Sequence, residues 1–116
     1  MLSINQNTWT DIRSVTANDA ATPDDAALAA FQAIEYVEGQ LAVELGAGVT
    51  SLTVTMYVQV EGEWHLAFDA DGNLIQHIFT ANKAVILPLL KAPTALAVSG
   101  WAGAAAATVL RVLAVK

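Results

Sequence analysis

Asp69, Asp71 and Asn73, in the run DADGN, open with the spacing of an oxygen-ligand calcium loop. Such a loop is completed by a bidentate Glu at its twelfth position, which fills the shell of a hard cation. Thr80 stands there instead, so turn chemistry accounts for the run without a metal. His65 and His77 fall on neighbouring expected strands and would face each other across a ladder, with Glu63 or Asp69 close by. Two imidazoles fall short of the three or four ligands of a zinc site. Ser3, Ser14, Ser51 and Ser99 are the serine nucleophile candidates, and the VSGW context of Ser99 lacks the glycine pattern of a nucleophile elbow. Glu61, Glu63, Asp69 and Asp71 could supply a carboxylate pair, but all four sit at turns, where solvated acids are the norm. No glycine loop of the phosphate-cradling kind occurs. The expectation is a protein that is not an enzyme and carries no cofactor or metal.

The aromatic residues offer a different chemistry. Trp64 and Phe68 follow the alternation of a core face, whereas Tyr57 falls on the opposite face, and Trp9 and Trp101 stand beside polar residues or glycine. Exposed Trp and Tyr anchor protein interfaces or stack on sugar rings. Trp9, Tyr57 and Trp101 are therefore the candidate interface or ligand-stacking residues.

The elements that position these residues read mainly as strands. Leu52, Val54, Met56, Val58 and Val60 alternate with Thr53, Thr55, Tyr57 and Gln59, the pattern of a sheet with one buried face. Glu61-Gly62 makes a tight turn, and Trp64, Leu66 and Phe68 continue the apolar face on the return strand. LAVEL before this hairpin, and LIQHIF, AVILPLL, TALAVSG and AAAATVLRVLAV after it, are further short strands bounded by Asn, Lys, Pro or Gly. Pro88 and Pro93 place the Ala84–Leu90 segment at a sheet edge or a bend. About seven strands at this spacing describe an antiparallel sandwich or barrel.

Residues 23–38 stand apart as a short helix candidate. Thr22 can cap it, Pro23 suits the first helical position, Asp24 and Asp25 sit at the positive end of the dipole, and Gly39 supplies a stop. The competing reading makes FQAIEYV a strand. Residues 1–21 form an N-terminal arm or an edge strand, and residues 22–116 a single β-sandwich domain.

Composition narrows the function classes. The chain has 116 residues, no Cys and 23 Ala; 55% of residues are hydrophobic and only 14% charged. Few charges and many small apolar residues suit a surface that partly faces other protein. Net charge is −6, unevenly spread. Residues 1–80 carry one base against all eleven acids, whereas residues 81–116 carry four bases and no acid. The basic end either pairs with acids within the same molecule or makes one pole complementary to another copy. An acidic protein is a poor partner for nucleic acid. No secretory signal opens the chain, and no apolar run approaches the ~18 residues of a membrane span. The expectation is a soluble protein with no membrane or nucleic-acid partner.

The run SLTVTMYVQVEGEWHLAF, then a turn, a strand, a proline-bearing strand and the terminal ATVLRVLAV, resembles the small β-sandwich virion proteins of tailed bacteriophages over residues 40–116. The resemblance implies a jelly-roll-like antiparallel sandwich and a structural role in capsid decoration or at the head or tail. It also implies partners that are capsid or tail subunits and copies of the same chain. The protein would then be a homo-oligomer located in the virion, assembled in the host cytoplasm. A carbohydrate-binding or adhesin module of the β-sandwich type is the alternative.

Overall fold

In a computed structural model, the structure describes residues 2–4, 7–20, 29–33, 38–88 and 92–115. Ten strands are formed: β1 Leu2–Ile4, β2 Thr10–Val15, β3 Phe31–Ala33, β4 Glu38–Glu44, β5 Val49–Val60, β6 Glu63–Leu66, β7 Gln76–Phe79, β8 Lys83–Leu87, β9 Thr94–Gly103 and β10 Thr108–Val115. They build a β-sandwich. The first sheet has the order β1-β3-β9-β5-β6, with β7 also on β5; the second has the order β2-β10-β4-β8. Every pair is antiparallel except β1 with β3. No helix occurs among the described residues.

The helix expected near residues 23–38 is corrected where it can be seen. Phe31–Ala33 is a strand between β1 and β9, and Glu38 already begins β4. Phe31 is 1% exposed, so burial against two strands outweighed the local helix signals. The remainder of that expectation lies outside the described residues. The segment before it enters the sheets as edge strands, β1 in the first and β2 in the second.

The two-residue period of the sequence becomes the core. Leu52, Val54 and Met56 from β5, with Leu96, Val98 and Phe79, meet Leu41, Val43, Leu110, Val112 and Leu87 of the second sheet. The terminal run divides: 104–107 is a connection, and β10 is a central strand with Thr108, Leu110, Val112 and Ala114 turned inward. β8 is the edge of its sheet and stops at Pro88, whose ring cannot donate to a ladder.

The β5–β6 hairpin turns at Glu61 and Gly62, with φ of 51° and 83°, the positive values that match the twist of paired strands. This turn fixes the register, and the register corrects the expected core face of β6. Trp64 lies opposite Gln59, and Leu66 opposite Tyr57. Opposed residues share a face, so Trp64 and Leu66 join the outer face. Leu66 and Phe68 are exposed, and the small Ala67 holds the buried position instead.

Candidate interaction surface

Met56, Ala67 and Ile75 form a three-way backbone junction. The Met56 N–H donates to the Ile75 carbonyl (3.0 Å), the Ile75 N–H to the Ala67 carbonyl (2.9 Å), and the Ala67 N–H to the Met56 carbonyl (3.0 Å). All three side chains are buried. Between Ala67 and Ile75 the chain leaves the edge of the first sheet as a small hairpin closed by a Phe68–Leu74 bridge. Asp69 shapes its tip: Oδ1 accepts the N–H groups of Asp71 and Asn73, both at 2.9 Å. The DADGN run is thus an Asx-type turn, with one carboxylate oxygen engaged by its own backbone.

The junction also decides where β6 and β7 send their backbone groups. Ladder bonds alternate along a strand, so Ala67, His65 and Glu63 bond toward β5, as do Ile75, His77 and Phe79. Trp64, Leu66, Gln76 and Ile78 turn theirs to the far side, where no strand among the described residues pairs. β8 ends the second sheet on the same flank. Among the described residues no further strand pairs along this flank at β6, β7 or β8.

Apolar side chains collect there. Among the described residues seven large hydrophobics are exposed, and five belong to this flank: Val60, Leu66, Phe68, Ile78 and Ile86. Ile86 is the most exposed of them, at 69%. An open groove of about 200 Å³ runs between the β7 side, with Leu74, Ile75 and His77, and the end of β8, with Ile86 and Pro88; Asp69 also lines it. Comparison of the chain with protein-family models, with curated proteins and with solved structures finds no match. The surface must speak for itself.

His77 sits half-buried in this groove, its ring edge-on to Phe79 with centroids 6.4 Å apart. Burial lowers its pKa, and the charge of Lys83 lowers it further, while a hydrogen bond to the Ile86 backbone opposes them. Lys83 itself stands over the Phe79 ring, 5.8 Å from its centroid. His65 does not face His77. It pairs with Val58 and His77 with Val54, which separates them by roughly 13 Å along β5 at 3.3 Å per residue. The expected facing pair is corrected: β6 and β7 lie end to end on one edge of β5, not side by side. Among the described residues no group of three or more His, Asp or Glu could hold a metal.

The three aromatic candidates occupy separate places. Trp9 is exposed just ahead of β2 in the second sheet. Tyr57 is half-buried on the outer face of the first sheet, between Leu66 and Ala95. Trp101 sits in a bulge of β9, packed against the core, and its indole N–H donates to the Ala104 carbonyl (3.0 Å). No shared stacking platform joins them. The apolar flank was missed in the sequence because the alternation in KAVIL, which puts Val85 and Leu87 inside and Ile86 outside, was not carried over to a surface.

Arg13 and Arg111 find their carboxylate partners within the molecule. Arg111 on β10 donates to Glu44 and to Asp11, each at 2.7 Å, and both carboxylates raise its pKa. Of the two readings of the basic C-terminal segment, Arg111 follows the first.

Proposed function

We propose that this chain is a non-enzymatic structural protein that acts by binding protein: copies of itself and the subunits of a larger lattice, such as the shell or tail of a bacteriophage virion. The observation that carries the reading is the open flank, where three strand edges and five large exposed hydrophobics coincide. Natural sandwiches protect such edges with charge, proline or covering segments, because an exposed apolar edge invites another chain. On the β6–β8 flank no covering segment occurs among the described residues. The low charge of the whole chain supports the same reading. The phage lattice is chosen on the strand pattern of residues 40–116, which resembles that of virion sandwich proteins. In this reading the protein is assembled in the host cytoplasm and ends in the particle.

The test mixes the purified protein with undecorated tailed-phage shells and sediments them, with light scattering on the protein alone. Saturable co-sedimentation and a mass above one chain are expected. A strict monomer that stays in the supernatant overturns the reading.

A further inference from the structure

β8 differs from the other open edges in one respect. β6 and β7 are interrupted by the projecting hairpin, whereas β8 runs five residues in an unbroken row, with the backbone groups of Ala84 and Ile86 facing outward and the Ile86 backbone also holding the His77 ring. We infer that two copies of this protein join edge to edge through β8, antiparallel about a two-fold axis at Val85, so that the second sheet runs through both copies as eight strands. The inference rests on the self-assembling reading above and names its interface.

Register, shape and charge each support a second copy as the occupant. Pro88 closes the ladder at one end, because it has no N–H to give, and β8 starts at Lys83. The register that pairs all five residues of both strands centres on Val85. It places Ala84 beside the partner's Ile86 on the outer face, a small side chain against the most exposed large one. A two-fold contact of this kind closes on itself and stops at two copies, as isologous interfaces do.

Lys83 falls opposite the partner's Leu87, next to the groove that Pro88 and Asp69 line. The two Lys83 side chains therefore stand at opposite ends of the seam. Among the described residues Lys83 is the one cation with no carboxylate partner, since Arg13 holds Asp19 and Arg111 holds Asp11 and Glu44. Asp69 uses Oδ1 in its own turn and keeps Oδ2 for a contact from outside. The two-fold axis makes that Lys83–Asp69 contact twice.

The chain has no cysteine, so one introduced thiol reads the geometry cleanly. Opposed residues across an antiparallel seam have Cα atoms about 4.5–5.5 Å apart, within disulfide reach. Mild oxidation of the Val85→Cys chain is expected to give one covalent dimer, at least about tenfold faster than an Ala105→Cys control in the exposed β9–β10 connection. Ile86→Glu, on a side chain already in solvent, is expected to raise the dimer dissociation constant about tenfold or more, with an unchanged circular dichroism spectrum. Lys83→Gln and Asp69→Asn, the latter keeping the oxygen that caps the turn, should each weaken the dimer roughly fivefold, and the double variant no more than either alone. Oligomers that form while the Val85→Cys chain cross-links no faster than the control, and Ile86→Glu leaves their affinity unchanged, overturn the β8 seam and leave self-assembly standing. A wild-type chain that is monomeric at every concentration overturns both.

Discussion

The outer edge of β9 and the β6–β8 flank of this sandwich end in opposite ways. On the β2 side, the chain after β2 turns back along the edge of β9. Asp19 exchanges bonds with Val98 in both directions: its N–H donates to the Val98 carbonyl (2.8 Å), and its Oδ2 accepts the Val98 N–H (2.6 Å). Asn18 takes the Trp101 N–H at 2.9 Å. Arg13 then reaches across from the second sheet, donating twice to Asp19 at 2.8 and 2.6 Å and once to the Leu96 carbonyl at 2.9 Å. On the β6–β8 side no comparable cover exists among the described residues, and isoleucines stand in solvent. A sheet edge is a row of backbone donors and acceptors that must find partners. Along β9 this protein supplies its own partners; along β6, β7 and β8 no described strand does.

The comparison breaks most visibly at Arg13. Its side chain and that of Asp19 are 9% and 11% exposed, so the pair is almost out of water. Arg13→Ala takes the charge partner from the Asp19 carboxylate, which keeps only the Val98 N–H, and removes the donor to the Leu96 carbonyl. We expect a loss of about 3–5 kcal/mol in unfolding free energy by urea denaturation, because removing one partner leaves a buried charge uncompensated. A loss below about 1 kcal/mol would mean that water reaches the pair and that this flank is as open as the other.

Two phenylalanines on the open flank sharpen the contrast. Phe79 is fully buried at the end of β7, while Phe68 is 54% exposed beyond the junction. Phe79→Ala should cost about 3–5 kcal/mol, the usual result of emptying a core site. Phe68→Ser should change monomer stability by less than about 1 kcal/mol, because its ring already lies largely in water. Paired urea titrations of the two variants, at concentrations below self-association, decide the matter. Equal losses would show that Phe68 packs within the single chain after all.

These residues also show how far the sequence could be read. Period-two alternation in Leu52–Val60 and the Glu61-Gly62 turn placed the central hairpin correctly, because both are local signals that tertiary packing reinforced. The face of Trp64, Leu66 and Phe68 was misjudged because it depended on register and on a junction that brings Met56, Ala67 and Ile75 together from three segments. No window of neighbouring residues contains that junction. Phe31 was misjudged for the same reason, as its strand exists through contacts with β1 and β9. The Arg13 bond to Leu96 spans 83 positions, and nothing in TDIRSVTAND announces a partner so distant. Local order was legible; the cover along β9 and the uncovered edges of β6, β7 and β8 were decided by long-range pairing.

The smallest expected effect concerns pH on the open flank. His77 keeps its pKa below the ordinary 6.5, first by burial and then by Lys83. In the unfolded chain the ring takes up its proton near pH 6.5, whereas the folded chain resists protonation until the pH is lower. Through that window the unfolded state binds more protons, so stability falls as the pH falls; above it both states carry a neutral ring and nothing changes. His77→Gln removes this titration and leaves the other titrating groups in place. Urea midpoints at pH 7.5 and 5.5 should therefore drop further for the wild-type chain than for the variant, the carboxylates acting alike in both. Equal drops would mean that the groove between β7 and β8 is wet enough to screen Lys83 from the ring. The open flank would then be open to water throughout, and its apolar side chains would lie on a hydrated surface with no dry seam for a partner to complete.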